Sequence, residues 1–117
     1  MGARILVVGS TMIDLVAYAD RLPEAGETLV GERFESGFGG KGANQAVMAA
    51  RFGVPVAMVN AVGDDAYGAS HIENFRAEGI DVSFMRSVPG SSGVAPIWVD
   101  GNGRNRRSEE HTSELQS

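Results

Sequence analysis

Cysteine is absent from the 117 residues of this chain, which excludes a disulfide framework, a thiolate nucleophile and a sulfur-ligated metal. No apolar run approaches the roughly 20 residues a helix needs to cross a bilayer, so no membrane partner is expected. Basic clusters are missing as well: 10 Lys and Arg face 15 Asp and Glu, for a formal charge of -5. A nucleic-acid partner is argued against, because such a surface concentrates Lys and Arg. The opening Met1-Gly2-Ala3-Arg4-Ile5-Leu6-Val7-Val8-Gly9 is too short and too soon interrupted for a secretory signal, which leaves the cytoplasm as the expected compartment. What is present is 43% hydrophobic and 21% charged, the composition of one soluble globular domain without internal repeats.

The densest local signal is Gly39-Gly40-Lys41-Gly42-Ala43-Asn44, just ahead of a helical pattern, Ala46-Val47-Met48-Ala49-Ala50. Adjacent glycines let the backbone approach a ligand closely and adopt positive φ at little steric cost. The helix start offers unpaired N–H groups and positive dipole density, and Asn44 carries both a donor and an acceptor. A small, polar ligand rich in hydroxyls is implied. A Walker A loop is excluded twice over: its first glycine would be Glu35, and Gly42 follows the lysine. A dinucleotide fingerprint matches formally as Gly37-x-Gly39-x-x-Gly42, but the segment before it, with Glu32, Arg33 and Glu35, is not the buried central strand that motif requires.

Elsewhere the pattern alternates between strands and helices. Ile5-Leu6-Val7-Val8 reads as a strand buried on both faces of a parallel sheet, and Val56-Ala57-Met58-Val59 as a second. The helix after the glycines is expected to close at Phe52-Gly53, and a second to run from Tyr67 to Glu78 and end at Gly79. Val82-Ser83-Phe84-Met85 is a further short strand. This alternation implies βαβ units and a parallel, helix-covered sheet. Segments 14–19, 28–36 and 92–100 fit it poorly and are expected to form a separate small sheet, a lid projecting from the main one.

The last residues differ in kind. Arg107-Ser108-Glu109-Glu110-His111-Thr112-Ser113-Glu114-Leu115-Gln116-Ser117 is polar and aperiodic, which suits a disordered tail. It also resembles the in-frame translation of a short-read sequencing adapter, the reading preferred here. On that reading the native body is residues 1–106, His111 has no role, and the natural protein continues past Arg106.

From Gly39 onward the chain resembles the first signature of the ribokinase-like (PfkB) sugar kinases. Gly39-Gly40, Gly42, Asn44 and Ala46 stand in the expected order, followed at the family's spacing by Gly53 and Gly63. Gly9-Ser10 with Asp14, Pro23 with Gly26-Glu27-Thr28, Asp64-Asp65 with Gly68, and Ser92-Gly93-Val94-Ala95 agree, so the resemblance spans residues 3–106 and within the family is greatest to the ribokinases. It implies a Rossmann-like three-layer α/β sandwich, of which this is the N-terminal part, with a small β-sheet lid. It also implies ATP-dependent phosphorylation of a sugar hydroxyl, ribose to ribose 5-phosphate first, with MgATP and a monovalent cation serving the longer protein and none expected to bind this chain well. By the same resemblance Asp14, Gly39, Gly40, Lys41 and Asn44 bind the sugar, while Ala95 and Ile97 contact it from the lid. The general base and nucleotide pocket lie later in the family's chains, so no catalytic residue is assigned and no turnover by this chain is expected. The chemistry of the residues agrees, since a carboxylate accepts from vicinal hydroxyls and an asparagine amide fixes their orientation.

One departure stands out: ribokinases commonly place an Asn between Gly9-Ser10 and Asp14, where this chain reads Thr11-Met12-Ile13. It leaves the sugar open, with a deoxyribose or a nucleoside ribose behind ribose. Other residues carry plainer expectations. Asp14 could merely cap a turn, Lys41 is a surface group, and Asp64-Asp65 starts a helix rather than holding a metal. His71, flanked by polar residues, is expected in solvent; Phe38 and Trp98 are either core or lid. The resemblance also implies a homodimer through the lid in the full-length protein. A rival reading is a non-catalytic binding or dimerisation module using that lid as its interface, with Leu29, Phe34, Ile97 and Trp98 as its apolar face.

Overall fold

The computed structural model describes residues 2–107. The order along the chain is β1 (Ile5–Val8), β2 (Met12–Tyr18), β3 (Arg33–Gly39), α1 (Lys41–Arg51), β4 (Val56–Gly63), α2 (Ala66–Ala77), β5 (Met85–Val88), β6 (Val94–Val99) and β7 (Asn105–Arg107). Two sheets result. β1, β4 and β5 form a parallel sheet in the order β1-β4-β5, and β3-β2-β6-β7 form a four-stranded sheet whose central pair, β2 and β6, is parallel.

Because β1-β4-β5 never reverses direction, right-handed crossovers place α1 and α2 on the same face of the parallel sheet. The core sits there: Val7, Val56 and Met58 of the sheet pack with Ala43 and Ala46 of α1, Phe75 of α2, and Ile80. Both helices end alike. Gly53 N donates to Ala50 O and Val54 N to Ala49 O; Gly79 N donates to Arg76 O and Ile80 N to Phe75 O. These paired bonds satisfy carbonyls that a helix end leaves open, and the second set docks Ile80 beside Phe75. Asp65 caps α2 by accepting from Gly68 N at 2.9 Å, as the sequence suggested.

The small separate sheet expected from 14–19, 28–36 and 92–100 is present, with shifted bounds. Its second strand begins only at Arg33 and runs on through the glycines to Gly39, and its fourth member, β7, was not expected. β5 lies three residues beyond the expected 82–85. The reading of β1 as buried on both faces needs correction: Val7 is buried, but Leu6 and Val8 on the opposite face are 61% and 64% exposed. Only one helical layer covers the sheet within the described residues. Of the segment expected to be a foreign tail, Arg107 ends β7 and pairs with Ile97; residues 108–117, His111 among them, lie outside the described residues.

Candidate sugar site

Four of the residues singled out in the sequence, Asp14, Gly39, Gly40 and Ala95, lie close together in the small sheet and at the start of α1. Asp14 lies on β2, in register with Gly37 of β3 on one side and Ala95 of β6 on the other. Side chains alternate across a sheet, so Met12, Asp14 and Val16 share one face with Gly39, Gly37, Ala95 and Ile97. The Asp14 carboxylate stands over Gly39: a Cβ there would lie 2.7 Å from Oδ2 and 2.8 Å from Oδ1. The glycine thus makes room for the carboxylate.

Gly40 caps α1 with φ +101°, and a Cβ on it would lie 2.6 Å from Ser10 O. The chain turns there from strand to helix while pressed against the β1–β2 connection. Ala43 N donates to Ser10 O at 3.3 Å, so Gly9-Ser10 occupies the helix start. That packing, and the placement of Gly37 and Gly39 inside an antiparallel edge strand, removes the dinucleotide fingerprint, which needs its glycines in the turn after a parallel strand.

Lys41 and Asn44 are exposed on the first turn of α1. Asn44 lines an open groove of about 390 Å³ between α1 and α2, with Phe38, Met48, Asn74 and the Arg51–Glu78 ion pair. Ala95 is fully buried, and Ile97 lies one pair further along the strand. Asp14, Gly39, Gly40 and Ala95 are therefore brought together, with Ile97 beside them and Asn44 directed to the neighbouring groove.

Sequence reasoning missed the side chains that hold this junction. Asn60, buried on β4, donates from Nδ2 to Thr11 Oγ1 at 3.3 Å and ties the β1–β2 connection to the parallel sheet. Ser92, before β6, donates from Oγ to Asp65 Oδ1 at 2.6 Å and from N to Asp65 Oδ2 at 2.8 Å, while its Oγ accepts from Gly63 N at 3.0 Å. For Asp65, burial alone would raise the pKa, but the bonds from Ser92 and Gly68 outweigh it and hold the carboxyl below its usual range. The joint occurrence of Gly63, Asp64-Asp65, Gly68 and Ser92 was the available signal; their mutual contact was not readable.

His71 is also a correction. It is 1% exposed rather than solvated, packed between Phe38 and Phe75. Phe38 and Trp98 both lie on strands of the small sheet, 45% and 39% exposed, on the face opposite Asp14 and so away from the candidate sugar side. Among the described residues no group of three or more His, Cys, Asp or Glu converges to hold a metal ion, and no helix is long and apolar enough to cross a membrane.

Residues 3–112 match the pfkB family of carbohydrate kinases. The chain belongs to that family. The match runs into the segment beginning at 107 that the sequence ascribed to an adapter. This pfkB chain is 47% identical over 102 residues to a deoxyribokinase of Salmonella typhi, covering 86% of the chain and 33% of that protein. It is 49% identical over 94 residues to a ribokinase of Bacillus subtilis (strain 168), covering 80% of the chain and 32% of the relative. The structure of Arabidopsis thaliana ribokinase complexed with ribose and ATP superposes with a TM-score of 0.87 at 32% identity, over 94% of this chain and 36% of that one. The pfkB chain thus spans about a third of the length of these relatives, and its fold is the matching part of the ribokinase fold.

Proposed function

We propose that this chain is the sugar-binding side of a pentose kinase that transfers a phosphoryl group from ATP to a sugar hydroxyl. The observation that carries the reading is the Asp14 carboxylate standing over Gly39, beside the Gly40 turn. Two carboxylate oxygens accept from neighbouring hydroxyls, Gly39 and Gly40 leave room for that carboxylate and for the β1–β2 connection beside it, and Ala95 and Ile97 cover the sugar from the lid. Fixing several hydroxyls in this way orients the remaining one for in-line attack, which is most of what phosphoryl transfer asks of a protein. The general base and the pocket for MgATP with its monovalent cation belong, on this reading, to other parts of a longer protein working in the cytoplasm. Lys41 and Asn44 act at the rim of the sugar site.

Met12 bears on the choice of sugar. It is 4% exposed, shares the Asp14 face and pairs with Gly39. A thioether there offers no strong partner to a hydroxyl, so a sugar lacking that hydroxyl loses nothing, whereas ribose leaves one group poorly matched. We therefore place deoxyribose ahead of ribose, reversing the order taken from the sequence. The test is a coupled ADP-release assay on the full-length gene product with both pentoses. Turnover that favours deoxyribose, shifted toward ribose by Met12→Asn and lost with Asp14→Ala, is expected. Turnover of neither pentose, or an Asp14→Ala variant with unchanged KM, would overturn the reading. The 117-residue chain alone is expected to show no turnover in that assay.

Pairing of the lid with a second copy is a further proposal, with one correction to its surface. The register puts Phe34 and Trp98 on the same face, opposite Asp14, but Ile97 on the Asp14 face and Leu29 outside any strand. The dimerising face is then Phe34 and Trp98, 62% and 39% exposed, with Pro23 and Leu22 at its border. Sedimentation of the full-length product tests it, and a monomer at high concentration would remove it.

A further inference from the structure

His71 is a buried titratable group that the sugar site does not use. It is 1% exposed, and neither Nδ1 nor Nε2 has a hydrogen-bond partner. Its ring centroid lies 5.4 Å from that of Phe38, tilted by 59°, and 6.4 Å from that of Phe75, stacked at 20°. Phe75 belongs to the same helix, but Phe38 belongs to β3. The imidazole therefore sits where the small sheet rests on the body. Phe38 immediately precedes Gly39 and pairs across the strands with Ile13, the neighbour of Asp14. Whatever seats Phe38 also sets how Gly39 meets the carboxylate.

We propose that His71 is a positioning residue whose neutral ring seats Phe38 on α2, and that protonating this ring releases the β3 end of the small sheet from the body. An imidazolium between two phenyl rings, with both N–H groups lacking acceptors, is a costly buried charge. Lifting Phe38 admits water to it and relieves that cost.

The charged groups around it offset this only in part. On its own helix Asp65 favours the charged form, but it is engaged by Ser92 and Gly68; Glu78 is held by Arg51 of α1, and Glu73 pairs with Arg76. β4 contributes no titratable side chain; β3 contributes Arg33 and Glu35, paired with each other near its far end; Lys41 of α1 is exposed. Burial accordingly pushes the His71 imidazole down to about 4, with Asp65 the weaker, opposing influence. Once Phe38 has lifted, the ring titrates near its usual value of about 6.5. The open form then gains roughly tenfold per pH unit as pH falls from about 6.5 toward 4. The proposal depends on how the small sheet is seated and not on which sugar is bound, so it stands or falls apart from the kinase reading.

The test is NMR of the 117-residue chain between pH 7.5 and 4. Its two histidines, His71 and His111, are told apart by His71→Leu. The expected result is a ring-to-ring Overhauser effect between Phe38 and His71 at neutral pH that fades as His71 titrates. The Gly39 amide should shift with the same midpoint, while the Overhauser effect between Val7 and Met58 persists. In His71→Leu the Phe38 and Gly39 signals should hold still over that range. Phe38→Ala, read by the imidazole alone, should let His71 titrate near its usual value. A Phe38–His71 effect that survives protonation of His71 would overturn the proposal. So would a Val7–Met58 effect that vanishes at the same midpoint, or Gly39 shifts unchanged in His71→Leu.

Discussion

A methyl group added at Gly39 and one added at Gly40 should have different consequences, although the residues are adjacent. Gly40 has φ +101°, and its Cβ would lie 2.6 Å from a backbone oxygen, Ser10 O, that is tied to the start of α1. Gly40→Ala should cost about 1–3 kcal/mol from backbone conformation, before any clash is counted. Urea unfolding followed by Trp98 fluorescence reads that loss; an unchanged midpoint would contradict it. Gly39 has no positive φ, and the nearest atoms its Cβ would meet belong to the Asp14 carboxyl group rather than to backbone. Gly39→Ala should unfold almost as the parent does yet displace the carboxylate, so that calorimetry on the full-length product shows sugar binding lost at nearly full stability. The glycine pair was legible in the sequence, but the division of labour within it was not, because φ and cross-strand register are properties of the fold.

His71 gives the other prediction at this scale. Its folded pKa, about 4, lies below the unfolded value near 6.5. The unfolded chain therefore takes up a proton first as pH falls, and stability drops between about 6.5 and 4, by about 3 kcal/mol at most. Above 6.5 both states are neutral and nothing is lost. The urea midpoint of the parent should fall relative to that of His71→Leu over that window, and a difference independent of pH would show the imidazole to be solvated. The burial was half-readable. Gly68, His71 and Phe75 recur at helical spacing and all prove buried, but the polar neighbours Ser70 and Glu73 masked the pattern.

Among the elements, the loop before β6 carries the most structural information. Ser92 is 3% exposed and bridges the end of β4, through Gly63 N, to the cap of α2, through Asp65. Ser92→Ala leaves a buried N–H without an acceptor and should cost about 1–3 kcal/mol. It also withdraws a bond that keeps the Asp65 carboxyl below its usual range. A depressed carboxyl contributes stability above its unfolded pKa and loses it as pH falls through the folded one. The variant should therefore lose stability at higher pH than the parent on acidification, and superimposable acid-unfolding curves would count against this assignment. Elements built on apolar periodicity, α1, β4 and α2, were legible in the sequence. β3 was legible only at its start and β7 not at all: ESGFG and NRR lack the β-branched residues that mark a strand, and both are edge strands held by pairing with β2 and β6.

At the scale of the whole molecule, the two sheets and their helices make an elongated body of 53 × 32 × 21 Å with a radius of gyration of 16.0 Å. A compact domain of this length would have about 13 Å. The excess reflects the projecting small sheet and a parallel sheet covered on one face only. Leu6 and Val8 lie open on the uncovered face, and β1 and β5 are both edges of that sheet. Open edges beside exposed apolar side chains promote pairing between copies. The isolated chain should therefore associate with itself through the parallel sheet, independently of any lid contact. Light scattering after size exclusion should show mass rising with concentration, and Leu6→Thr with Val8→Thr should reduce it. Phe34→Ser with Trp98→Ser, on the opposite element, separates the two surfaces: a chain made monomeric by this pair alone would assign the association to the lid.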